Sequence, residues 1–202
     1  MKLRVQHFFG LGLTRLFSKH WYYQWLVLTS LLIIPFTLFA EPNLTTEQFL
    51  EGAFGTGLPN ASPPKAETLW ITKEVAVQAE KILGHAPKQV TIHYWKNNLR
   101  TVWILDEIGK EEPITAGFVV QSGKLNQVVV LNYRESRGGE VRHPNFLKQY
   151  QGADLQKDYQ LDKNIDGISG ATLSVRAMGR MARLALYFDH LSHVEAVQTE
   201  PH

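Results

Sequence analysis

Asp166-Gly167-Ile168-Ser169-Gly170-Ala171-Thr172-Leu173-Ser174 stands directly before an apolar-periodic run that reads as the last helix. Ser169, Gly170 and Ala171 are small, so the turn is narrow and backbone can come close to a ligand. The amides that open the next helix have no intrahelical partner and favour an anion. The Thr172 hydroxyl therefore falls where a phosphate is welcome. Read alone, Ser-Gly-Ala-Thr before an amphipathic helix is also an ordinary loop with a Ser or Thr N-cap. Within the helix, expected over 173–190, Val175, Met178, Ala182, Ala185 and Leu186 share a core-facing side. Arg176, Arg180 and Arg183 lie largely opposite and read as a solvated face, with Arg176 near enough to Thr172 to be a phosphate ligand.

At these residues the chain resembles the FMN-binding domain family, which includes the flavin subunits of sodium-pumping and Rnf-type electron-transport complexes. The family pattern is Asp-x-x-Ser/Thr-Gly-Ala-Thr, and Asp166, Ser169, Gly170, Ala171 and Thr172 match it throughout. The resemblance implies FMN held covalently through a phosphoester on Thr172. It also implies a flavin transferase that uses FAD and reads Asp166. The likeness runs over roughly residues 69–191 and is nearest to stand-alone, single-anchor members. In the family a Glu-Thr-Pro-Gly segment lies by the flavin ring. This chain has Glu135-Ser136-Arg137-Gly138, followed by Gly139. Glu135 and Gly138 fit; Arg137 replaces Pro. Without the resemblance, 132–142 is equally a solvated hairpin end.

The remaining chain reads as α+β: an antiparallel sheet of about four or more strands flanked by helices. Thr72 caps a helix that Gly84 stops. Residues 90–95 and 101–105 alternate around an Asn97-Asn98 turn. Residues 116–121 and 127–133 form a second pair about Ser122-Gly123-Lys124. His93 is a strand-face residue. His143-Pro144 opens a short helix with Phe146, Leu147 and Tyr150 on one face, and Gly152 ends it.

Residues 1–25 carry Lys2, Arg4, Arg15 and Lys19 and no acid, and 26–40 are almost wholly apolar. With Trp21, Tyr22, Tyr23 and Trp25 the stretch reaches about 20 residues, enough to cross a bilayer. A signal peptide cut after Ala40 competes with an uncleaved anchor. Either places the domain in the periplasm or its equivalent. The expected layout is a basic N-terminus (1–20), anchor or signal (21–40), capped short helix and linker (41–67), FMN-binding domain (68–193) and disordered tail (194–202).

A formal net charge of +2 and no basic-aromatic stripe give no support for nucleic acid. Zero Cys excludes disulfides, iron–sulfur clusters and Cys-ligated zinc. No metal site, nucleophile elbow or catalytic acid–base set is legible. The leading expectation is an electron carrier between a membrane donor and a periplasmic acceptor, more a redox-complex subunit than a stand-alone enzyme. A flavin-dependent reductase with its own substrate, and a non-redox membrane-tethered binding module, remain as alternatives.

Overall fold

The computed structural model describes residues 44–55 and 62–198, and the basic, apolar N-terminal segment lies outside them. Among the described residues no helix is long and apolar enough to cross a membrane. The elements run α1 (Thr46–Phe54), β1 (Glu67–Trp70), α2 (Lys73–Leu83), β2 (Thr91–Lys96), β3 (Arg100–Ile108), β4 (Pro113–Gln121), β5 (Lys124–Tyr133), a 3-10 turn (Gly139–Arg142), α3 (Pro144–Leu147), a second 3-10 turn (Lys148–Tyr150) and α4 (Thr172–Gln198). The five strands form one antiparallel meander in sequence order.

Strand alternation sorts side chains to two faces. Trp103, Leu105, Phe118 and Val120 face α4, which presents Met178, Met181, Ala182, Ala185 and Phe188 to them in the main core. Val102, Val119 and Leu131 face the other way and pack with Phe49, Leu50, Ala53 and Phe54 of α1. Along β5, Val128 and Val130 go to one core and Leu131, by alternation, to the other; a register shift against β4 brings Leu125, of opposite parity, to the same core as Val128.

The capped short helix expected within 41–67 is present as α1, with Thr45 as its cap; it seals the second sheet face and belongs to the same compact unit as the strands. It packs so closely that a Cβ at Gly117 would run into the Phe49 ring. Leu69 and Trp70 belong to the edge strand β1, in which only Leu69 is buried. The last helix continues to Gln198, into the tail expected to be disordered. The capping expectations hold: the Thr72 hydroxyl accepts from the Val75 amide at 3.4 Å, and Gly84 ends α2 in the left-handed region.

Buried polar contacts fix α4 along the sheet. The Trp103 indole donates to Thr101 Oγ1 (2.8 Å), which donates to Asp189 Oδ1 (2.5 Å). Near the other end of α4, Arg180 Nη2 donates to Glu107 Oε1 at 3.0 Å, and His85 Nε2 lies 3.1 Å from the same oxygen. The Lys96 ammonium donates to the Ser192 carbonyl at 2.9 Å.

Phe49 is 1% exposed. Phe49→Ala should therefore cost about 3–5 kcal/mol, the range for emptying a large aromatic site. Urea unfolding checks this; a loss under about 1 kcal/mol would return α1 to the status of an appendage.

Candidate functional site

The β3–β4 turn, the end of β5 and the start of α4 lie at one end of the sheet. Ile108 pairs with Pro113 and Ile114 with Tyr133, so the turn at 109–112 sits beside the segment leaving β5. Together they enclose a cavity of about 540 Å³ whose lining includes Lys110, Glu135, Arg137, Ala171, Thr172 and Ser174.

Helix α4 supplies its amides to this cavity. Its first i to i−4 bond runs from the Val175 amide to the Ala171 carbonyl at 3.0 Å. The amides of Thr172, Leu173 and Ser174 thus precede the ladder and present the positive end of the helix. Thr172 is exposed at the helix start, with Gly170 at φ 79 just ahead. The free amides around this hydroxyl favour an anion.

The loop after β5 is held from two sides. The Glu135 carboxylate accepts from the amides of Lys110, Glu111 (2.8 Å) and Glu112 (3.1 Å), which ties the loop to the turn. The Glu111 amide is the largest cause, with the Glu112 and Lys110 amides adding, of a Glu135 pKa below the ordinary carboxylate value. On the other side the Tyr133 hydroxyl donates to the Arg137 carbonyl and lies 3.1 Å from Ser174 Oγ in α4. The Arg142 guanidinium sits over the Tyr133 ring, 5.7 Å from its centroid. Gly138, at φ 81, passes so near the helix start that a Cβ would stand 2.9 Å from that of Ala171 and 2.8 Å from the Tyr133 oxygen. Only glycine meets both demands.

The structure sorts the sequence-derived candidates. It brings Gly170, Ala171, Thr172, Glu135 and Arg137 to the cavity. Gly138 and Gly139 shape the loop behind it, Gly138 through its contact with Ala171. Asp166 and Ser169 are exposed and not in its lining; the Asp166 amide donates to Gln149 Oε1 at 2.8 Å. Glu135 serves as a brace for backbone amides rather than as a free group over a ring. Arg176 is a correction: it lines a different cavity, on the α2 side of α4, and not the one at Thr172. Arg180 and Arg183 are corrected too. They are not a solvated face: Arg180 pairs with buried Glu107, and Arg183 donates to the carbonyls of Gly179 and Ile82 and to Gln160. Sequence reasoning passed over Lys110, Tyr133 and Ser174, which reach the site only through strand pairing and helix docking. The α2-side cavity is the larger, at about 740 Å³. Of the two, only the smaller combines the free helix amides with Thr172.

Residues 109–187 match the family model described as FMN-binding domain. This part of the chain is similar to the FMN-binding domain family. The matched span begins at the β3–β4 turn and ends in α4, so it takes in every segment of the Thr172 cavity. It starts later than the likeness expected from residue 69. Six chains of solved structure match the fold, among them the crystal structure of Shewanella oneidensis NqrC. That match has a TM-score of 0.55 at 14% identity and covers 74% of this chain and 96% of that one. At this identity the likeness speaks for the fold. No curated protein sequence gives a significant match.

Glu135 has a testable pH signature. Its folded-state pKa is lowered, so its contribution to stability is complete above the ordinary Glu value of 4.5 and is lost as pH falls through the folded value. Glu135→Gln should flatten that acid limb and speed amide exchange at Lys110, Glu111 and Glu112. Unchanged exchange at these three amides would show that the carboxylate does not hold the turn.

Proposed function

We propose that this chain is an electron-transfer flavoprotein with FMN joined covalently to Thr172. The observation that carries the reading is the placement of Thr172 at the unladdered amides of α4, inside a cavity that also holds Arg137 and Lys110. A phosphoester on Thr172 Oγ1 would form from FAD with loss of AMP. Its charge would meet the helix terminus and neighbouring cations. Gly138 and Ala171 keep the wall thin enough for backbone to approach the group. These residues fit FMN.

Bound flavin supplies one- and two-electron redox chemistry; the chain's own groups position it and set its electrostatics. The Glu135 brace and the Tyr133 hydroxyl fix the loop that presents Arg137. The Arg137 guanidinium makes no hydrogen bond or ion pair within the described residues, so its charge is available to the cavity. A cation there favours added negative charge. Asp166, exposed beside the motif, is open to reading by a flavin transferase. Covalent attachment would keep a small cofactor from being lost outside the cytoplasm. This suits a domain tethered by the 21–40 segment, with its N-terminus in the cytoplasm, a membrane-bound donor and a periplasmic acceptor. Cleavage after Ala40 would leave the same domain free in the periplasm.

The test is intact mass and in-gel fluorescence of the chain made with and without an active flavin transferase. Wild type should gain the mass of FMN less one water and stay fluorescent after denaturation; Thr172→Ala should do neither. No gain in any sample would reduce residues 166–172 to a capped loop. In the loaded protein, Arg137→Ala should lower the flavin midpoint potential. An unchanged potential would remove Arg137 from the cofactor's environment.

A further inference from the structure

The α2-side cavity has a charge imbalance that the flavin reading leaves unused. It lies between the end of α2, residues 160–164 and one face of α4. Lys81, Lys163, Arg176, Arg180 and Arg183 line it, against one carboxylate, Asp162. Arg176, Arg180 and Arg183 follow at i, i+4 and i+7, so they form a row about 10 Å long on the helix. Lys81 enters from α2, and Lys163 from the segment opposite.

The fold compensates these charges only in part. Glu107 pairs with Arg180 from outside the cavity lining, yet the Arg180 Nε is buried without an acceptor. Arg183 makes three hydrogen bonds, all to neutral acceptors: the Gly179 and Ile82 carbonyls and Gln160. Burial first, and Arg180 second, push the Arg183 guanidinium below its ordinary pKa. Arg176 has no hydrogen bond or ion pair among the described residues. Half-buried guanidinium groups in a concave site are costly unless an anion joins them.

We propose that this cavity is a second binding site, for a small molecule with two separated oxyanion groups. Planar guanidinium groups suit phosphate and carboxylate alike, through paired N–H donors. The row along α4 engages both ends of such a dianion, and Lys81 and Lys163 close on it from the sides. The depression is broad and open to solvent, and its cations come from three chain segments that converge on a patch only about 10 Å long, the span of a small dianion. The site is independent of flavin attachment, because Thr172 lines the other cavity.

Calorimetric titration of the full-length chain tests the assignment, with inorganic pyrophosphate and succinate as probes. At least one should bind with a Kd below about 1 mM, and the tighter of the two tells phosphate from carboxylate chemistry. Arg176→Gln combined with Lys81→Gln should weaken binding by about tenfold or more. Both side chains are exposed, so folding should survive; a thermal melt verifies it. Thr172→Ala and Arg137→Gln should leave the affinity unchanged. The proposal fails if neither probe binds, or if binding follows Arg137 and ignores Arg176 and Lys81. Binding of polyglutamate alone, with neither small dianion, would also overturn it in favour of a macromolecular contact.

Discussion

The seating of α4 on the sheet is the constraint on which the rest depends. Apolar burial gives the helix its face, but a smooth apolar seam tolerates sliding. The buried Trp103–Thr101–Asp189 chain and the Glu107–Arg180 pair do not, because a shift would leave polar groups unpaired in the core. Their value lies less in net stability than in register. With the helix fixed along its length, its first turn meets Gly138 and the Tyr133 hydroxyl at one place only. The cavity at Thr172 is therefore a product of contacts made about two to five helical turns away.

The second requirement is that a polar loop be rigid enough to define a wall. Glycines at 138 and 139 would by themselves leave it loose. Glu135 and Tyr133 supply the order, one to the hairpin turn and one to the helix. Each bond crosses between elements far apart in sequence. The loop is thus stiffened by the same tertiary structure that it helps to complete.

What the sequence made legible was local. The capped α2, the two hairpins and the motif before α4 depend on spacings of a few residues, and the structure reproduces them. The edge strand β1 was not legible because its four residues have a single buried side chain and so no alternation to detect. The role of α1 was hidden for a different reason. Its partner face is assembled from β3, β4 and β5, where the absent side chain of Gly117 leaves room for the Phe49 ring. The arginines of α4 were misplaced by helix-face logic. That logic finds the side opposite the core, and cannot foresee that α2 and the end of β3 also wrap round to it. Lys110 and Ser174 likewise become site residues only once strands pair and the helix docks.

The meander leaves its two rims with unequal duties. The turn at 109–112, the exit of β5 and the start of α4 share one rim with Thr172. The opposite rim holds the Asn97–Leu99 turn, with Leu99 63% exposed, and the Ser122–Gly123 turn. Nothing that shapes the Thr172 cavity is anchored in either. Short insertions at these two turns should leave the Thr172 cavity intact, which makes this rim a natural place to attach a probe or fusion partner.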